Sequence, residues 1–283
     1  MENAGNPVLW GVFAVIVLLS LLLDLGLLGG KQREMTFREA VSWSVLWITL
    51  ALLFNAGIFY SSGTEAGTAF LTGYLIELCL SIDNLFVFLV IFSHFGVPRA
   101  HQKKVLVYGI LGAFFMRALF IVLGAELIKK YEFLLVIFAV ILIYSGFKLV
   151  AKKDDDFDPS KSLVLKLFRK LVPSTPDYRG DRLFVREGGK LLATPLLLVI
   201  AVVESTDVLF AIDSIPAIFG ITTDTFIIFT SNIFAVMGLR AFFFLLSGAL
   251  NKLRFLHYGL AFVLSFVGVK MLLHHFDLFH MSS

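Results

Sequence analysis

The chain has 283 residues, 58% of them hydrophobic and only 16% charged. A soluble domain cannot clothe itself with so little polar surface. The net charge of +3 implies no nucleic acid or other polyanion as partner, and the single cysteine, Cys79, excludes a disulfide framework.

The apolar residues fall in runs of about twenty, the length that crosses the hydrocarbon of a bilayer. Hydropathy marks about eight spans, at 8–28, 39–60, 69–93, 105–127, 133–151, 193–219, 226–250 and 255–275. The first lacks the basic flank of a signal peptide and reads as an uncleaved helix. Asp24, near its inner end, reaches water. One long polar segment, 152–192, separates the fifth span from the sixth; within it, Leu163 to Leu171 reads as a short interfacial helix.

Basic residues set the orientation. Lys31, Arg33 and Arg38 lie after the first span, Arg99, Lys103 and Lys104 after the third, and Lys252 and Arg254 after the seventh. The 152–192 segment holds ten more, against only Lys129 and Lys130 on the other side. The positive-inside rule then predicts a multi-pass membrane protein with both termini outside the cytoplasm.

Two parts of the chain resemble one another. Phe133, Leu134, Ala139, Leu142, Gly146 and Lys148 recur 122 residues later as Phe255, Leu256, Ala261, Leu264, Gly268 and Lys270. The segment RALFIVLGAEL from Arg117 recurs 123 residues later as RAFFFLLSGAL from Arg240, and LSIDNLFVF at 80–88 matches FAIDSIPAI at 210–218. Low-complexity apolar helices can match by chance, but the aligned Arg, Lys, Asp and Gly positions argue for a true repeat. Three spans per unit is an odd number, so the second unit must be inverted relative to the first. The predicted fold class is an all-α membrane protein with two inverted three-helix bundles and two N-terminal helices. Its parts are 1–62 (two N-terminal helices), 63–151 (first unit), 152–192 (cytoplasmic loop), 193–275 (second unit) and 276–283 (tail). Inverted repeats recur in secondary transporters, with the ion site at the midplane between them.

The acidic residues carry the chemistry. The third span places Glu77, Asp83 and Asn84 near its middle, and the sixth places Glu204, Asp207 and Asp213 there. Each ionised carboxylate at a helix centre costs about 2.5–3.5 kcal/mol, so five left unpaired would cost on the order of 12–17 kcal/mol. Protons, basic side chains or a bound cation must neutralise them. The donors are oxygens, with Asn84, Ser81, Ser205, Thr206 and Ser214 beside the carboxylates; oxygen-only sites suit Mn²⁺, Ca²⁺ and Mg²⁺. Residues 77, 81 and 84 share a helix face, whereas 83 lies about 120° round from 77, so a straight helix cannot aim every acid at one ion. Pro216 predicts unwinding near 211–216, with freed carbonyls as extra ligands; two separate sites are the alternative. Arg117 and Arg240, both mid-span and repeat-equivalent, are the candidate counter-ions, and in the bland reading they clamp one or two of the acids.

Other polar residues carry less. Lys148 and Lys270 snorkel to the interface. The run Asp154-Asp155-Asp156-x-Asp158 lacks the Gly and Glu of an EF-hand and reads as a solvated loop. His94, His101, His274, His275 and His280 read as exposed loop or end histidines.

At the two acidic spans the sequence resembles the TerC family of bacterial integral membrane proteins. The segments FLTGYLIELCLSIDNLFVF, VLVYGILGAFFMRALF, LVIAVVESTDVLFAIDSIPAIF and TSNIFAVMGLRAFFFLL carry the likeness, which extends from about Leu9 to Leu273. The resemblance implies manganese efflux across the cytoplasmic membrane, a role in metal supply to exported proteins and an older association with tellurite resistance. It carries the family's functional acids onto Glu77, Asp83, Glu204, Asp207 and Asp213, with Asn84 beside them. Many members continue into a ninth span; whether this chain is a shorter member decides where its C-terminus lies.

The leading expectation is therefore a secondary transporter, not an enzyme, with Mn²⁺ as the transported ion and protons as a plausible exchange partner. No P-loop couples this chain to ATP. A membrane scaffold of a metallation or stress complex with a structural metal site is the competing class, its protein partners reached through 152–192. An intramembrane aspartyl protease would need a GxGD motif, which the sequence lacks.

Overall fold

The computed structural model describes residues 4–28, 35–131, 133–151, 163–247 and 256–276. Nine helices and one short hairpin occupy these residues: α1 (Pro7–Leu28), α2 (Phe37–His94), α3 (Arg99–Lys130), α4 (Leu134–Ala151), α5 (Leu163–Leu171), β1 (Phe184–Glu187), β2 (Lys190–Ala193), α6 (Pro195–Phe219), α7 (Thr225–Met237), α8 (Leu239–Ser247) and α9 (Leu256–His275). The chain is an all-α membrane protein apart from that hairpin. Among the described residues, α2, α3 and α6 are each long and apolar enough to cross a bilayer, and the bent pair α7–α8 makes a fourth by length and composition. Shorter apolar stretches lie at 7–23, 134–148 and 261–273.

The 58 residues of α2 would form a rod of roughly 87 Å, far beyond a hydrocarbon layer of about 30 Å. Gly63 breaks it, with φ 88° and ψ 179°, a conformation that residues with a Cβ avoid. The chain folds back there. Phe54 and Phe70, which a straight helix would hold about 24 Å apart, have ring centroids 5.7 Å apart. The two arms, 37–62 and 64–94, correspond to the second and third predicted spans. Thr36 and Glu39 start the first arm with a reciprocal capping box.

Aromatic rings fill the core between α1, both arms of α2 and α7. Phe13, Phe54, Phe70, Phe226 and Phe234 are all buried there. Helices α4 and α9 pack antiparallel through glycines. A Cβ on Gly146 would lie 2.8 Å from the Ala261 carbonyl oxygen, and one on Gly268 would lie 2.8 Å from that of Ala139. These are the positions that match across the two halves of the sequence, and their contact is reciprocal.

The polar segment folds more than its sequence suggests. Helix α5 has the bounds read from the sequence, and its Leu165 is buried against the core beside Leu196. The β1–β2 hairpin, which the sequence reading lacked, turns at Gly188 and Gly189, with φ 56° and 75°. Two consecutive positive-φ residues are what a two-residue hairpin turn demands. The segment docks on one end of the bundle. Tyr178 Oη donates to the Phe95 carbonyl at 2.9 Å, and Lys104 Nζ reaches the Asp181 carbonyl at 2.6 Å and its carboxylate at 3.2 Å. That hydrogen bond and the lysine's charge hold the Asp181 carboxyl below the usual carboxylate range.

One expectation needs correction. Helix α6 runs unbroken through 211–216, so Pro216 does not unwind it. Its ring falls in the last turn, where one missing N–H leaves little helix to disrupt. The interruption comes one helix later, at Gly238, where α7 and α8 meet at a bend of about 40°. The side chains of Asp24 and Asp213, the acidic run 154–158 and the tail beyond 276 lie outside the described residues.

Candidate cation site in the bundle

Glu77, Ser81 and Asn84 project from the second arm of α2 on its buried face, all three at 5% exposure or less. Helical spacing puts them on one stripe, and the stripe faces the neighbouring helices rather than lipid. Asp83 lies off that stripe and is half-buried. On α6, Thr206, Asp207 and Ser214 are buried, while Glu204, one turn from Asp207, is half-buried.

Arg117 of α3 ties these helices together and is fully buried. Its Nη1 donates to Glu77 Oε1 and, at 2.7 Å, to Asn232 Oδ1 of α7. Its Nη2 stands 3.7 Å from Asp207 Oδ1. Ser81 Oγ adds a bond to Glu77 Oε1 at 3.1 Å. Two carboxylates and one guanidinium leave a formal charge of −1 in a space closed to solvent. Glu77 Oε2, Asp207 Oδ2, Arg117 Nε and Asn232 Nδ2 are buried with no hydrogen-bond partner among protein groups. Buried polar atoms are rarely left so, and several around one point mark a place where a further polar species fits.

The six predicted site residues thus separate. Glu77 and Asp207 share Arg117, and Asn84 lies on the same stripe as Glu77. Asp83 sits on another face, and Glu204 packs its carboxylate against α3, where a Cβ on Gly112 would overlap it. Among the described residues no three His, Cys, Asp or Glu side chains come together at metal-ligand range. Arg240 of α8, the second predicted counter-ion, is likewise buried at 3% exposure.

Sequence reasoning missed Asn232, which supplies an amide oxygen bonded to Arg117. Its signal was present, since Thr230-Ser231-Asn232 is a polar tripeptide in the middle of an apolar span. It also missed Gly112, whose absent side chain leaves room for Glu204.

A cavity of about 680 Å³ opens at the end of the bundle opposite the docked hairpin. Glu65, Thr68, Thr72, Thr222, Asp224 and Lys270 contribute to its wall. Asp224 is occupied locally: it caps α7 through the Phe226 and Ile227 N–H groups and accepts from the Ala4 N–H at 2.6 Å. Ile227 of the wall lies one turn from Ser231 along α7, and Thr72 lies five residues before Glu77 on α2. Gly73 lies between, where a Cβ would stand 3.1 Å from Ser231 Oγ.

Fold and site together define a polytopic membrane protein with charged groups buried inside its helix bundle. The sequence pattern described as the integral membrane protein TerC family matches residues 62–283, and the chain belongs to that family. The match begins at the Gly63 break, so it takes in the second arm of α2 and everything after it. An uncharacterised membrane protein of Myxococcus xanthus is 47% identical over 95% of this chain and 84% of its own length. Alx of Escherichia coli K12, whose name proposes a membrane-bound redox modulator, is 45% identical over 99% of this chain and 89% of its own. The chloroplastic thylakoid membrane protein TERC of Arabidopsis thaliana is 43% identical over 92% of this chain and 67% of its own. No solved structure matches the chain.

Proposed function

We propose that this protein is a secondary transporter that exports a divalent metal cation, foremost Mn²⁺, through the cluster around Glu77 and Asp207. One observation carries the reading. Carboxylates from two different helices converge, fully buried, on a single arginine and leave a net negative charge that packing does not require. A hard divalent cation is the species such oxygens hold, and Mn²⁺, Ca²⁺ and Mg²⁺ all suit them. The reciprocal α4–α9 contact supports two units related by a two-fold axis, the plan that places a transported ion between repeats. The hairpin end, which carries Lys104 and the basic polar segment, is then the cytoplasmic side of an inner membrane. The 680 Å³ cavity at the other end is the release mouth. Asp83, Asn84, Glu204 and Asp213 serve the pathway on either side of the pair.

The redox role in the name of Alx does not transfer as dithiol chemistry within one chain, because Cys79 is the only cysteine. The second reading is a membrane scaffold, favoured by how completely Arg117 encloses the Glu77 carboxylate in a clamp. Purified protein in vesicles loaded with Mn²⁺ separates the two. An exporter releases the ion down its gradient, and Glu77→Gln with Asp207→Asn abolishes release. A scaffold leaves the internal Mn²⁺ unchanged in both preparations, which would end the transport reading.

A further inference from the structure

We infer that Arg117 is a tethered substitute for the transported ion: its guanidinium holds the site's oxygens when no metal is bound and must withdraw for metal to enter. The inference rests on the exporter reading and adds to it how the empty carrier crosses its own midplane.

Arg117 engages Glu77 Oε1, Asn232 Oδ1 and Asp207 Oδ1, one oxygen from each of α2, α7 and α6. These are the hard donors a divalent cation would take, so one position serves both cations. The need for a substitute follows from charge. An empty site would leave two bare carboxylates in low dielectric, a costly arrangement inside a membrane. Such a barrier would hold the carrier in its loaded form and prevent its return.

The bonding pattern distinguishes a substitute from a permanent clamp. A structural arginine–carboxylate pair is commonly a fork on a fork, with two parallel bonds. Here one nitrogen, Nη1, serves both Glu77 and Asn232, while Nη2 reaches Asp207 only at 3.7 Å. Nε is unused, and so are Glu77 Oε2 and Asp207 Oδ2, although all three are buried. Arg117 therefore satisfies charge while leaving much of the local hydrogen bonding unmade. That is a group held by electrostatics and replaceable by another cation.

The test compares the full chain with Arg117→Gln and Arg117→Lys. Mn²⁺ binding is measured in detergent, and two fluxes are measured in vesicles: net efflux into Mn²⁺-free buffer, and exchange of internal for external Mn²⁺. Net efflux requires the empty carrier to return, whereas exchange does not. With the competitor gone, Arg117→Gln is expected to bind Mn²⁺ about tenfold tighter or more. Its net efflux should fall by a similar factor, and exchange should fall much less than net efflux. Arg117→Lys, which keeps a charge on a shorter stem, should recover part of the net efflux.

A clamp gives the opposite result. Arg117→Gln would bind Mn²⁺ no better than wild type, or would lose exchange together with net efflux, and either outcome overturns the proposal. Should Arg117→Gln fail to give monodisperse protein, Arg117→Lys decides alone: tighter binding with slowed net efflux supports the substitute, and unchanged values refute it. Wild-type protein that moves no Mn²⁺ in either mode fails the exporter reading, and this inference falls with it.

Discussion

Arg117→Met and Asp207→Asn remove opposite charges from one ion pair, and the structure predicts very unequal costs. The pair stands at 3.7 Å. At an effective dielectric of about 20, that separation is worth roughly 4–5 kcal/mol of attraction. Asp207→Asn gives up the attraction, but it also removes the desolvation of a buried carboxylate, itself several kcal/mol, and its repulsion of Glu77. Glu77 and Arg117 remain as a neutral pair. The terms nearly cancel, so Asp207→Asn should lie within about 2 kcal/mol of wild type. Arg117→Met leaves two buried carboxylates with no cation and should cost at least about 3–5 kcal/mol. For a chain of this size that is a fall in Tm on the order of 10 °C, against a few degrees for Asp207→Asn. The assay is monodispersity by fluorescence-detected size exclusion after a heating series, in metal-free detergent buffer. Added Mn²⁺ should recover much of the Arg117→Met loss and little of the Asp207→Asn loss. Equal losses in the two variants, or an Arg117→Met protein as stable as wild type, would refute the charge balance assigned to this cluster.

Gly112→Ala should leave Tm within a few degrees and slow Mn²⁺ efflux severalfold, because the new methyl meets the movable Glu204 carboxylate rather than backbone; efflux from vesicles checks it. Gly146→Leu and Gly268→Leu should each destabilise by about 1–3 kcal/mol through overpacking of the α4–α9 contact. The two costs should be similar because the contact is reciprocal, and the same heating series measures them. The Asp181 carboxyl is held low by its hydrogen bond from Lys104 and then by that lysine's charge. A lowered folded value contributes stability above the unfolded carboxylate value, near pH 4, and loses it as pH falls through the folded value. Both groups are partly exposed, so the contribution is about 0–1 kcal/mol. Protease sensitivity of residues 174–193 should therefore rise only in strong acid, and Lys104→Ala should abolish that rise relative to neutral pH.

Much of the fold was legible because bilayer physics imposes a coarse pattern. Runs of apolar residues gave the helices, and α5 was found to the residue because its leucines and lysines alternate on opposite faces of a helix. The hairpin was missed because its four-residue strands have little period to read, although Glu187-Gly188-Gly189-Lys190 holds the turn signal. At the site, the stripe of 77, 81 and 84 followed from helical geometry alone, as did the separation of Asp83. Which acids meet which arginine was not readable. That depends on how α2, α3, α6 and α7 are rotated about their own axes, and nothing local in the sequence encodes it. Asn232 escaped for a related reason, since an amide in an apolar run looks like a tolerated polar residue until its neighbour is known.

The misplaced break is the most instructive difference. Proline seemed the obvious interruption, yet α6 carries Pro216 without unwinding, while α7 gives way to α8 at Gly238, two residues before Arg240. Arg117, the matching arginine, sits within the uninterrupted α3. Matching stretches of sequence are thus straight in one half of the chain and bent in the other. A carrier made of two inverted units opens to opposite sides when the units exchange conformations, so at any moment they must differ. On the exporter reading, the straight α3 and the bent α7–α8 are that difference. The end covered by α5 and the hairpin is then the closed side, and the end with the cavity is the open one. The same logic locates the reverse state: α3 would bend near Phe115, the residue that aligns with Gly238, two residues before Arg117 and three after Gly112. A bend there would move the guanidinium away from Glu77 in the same step that reshapes the bed of the Glu204 carboxylate. Release of the arginine and change of access are then one motion of one helix.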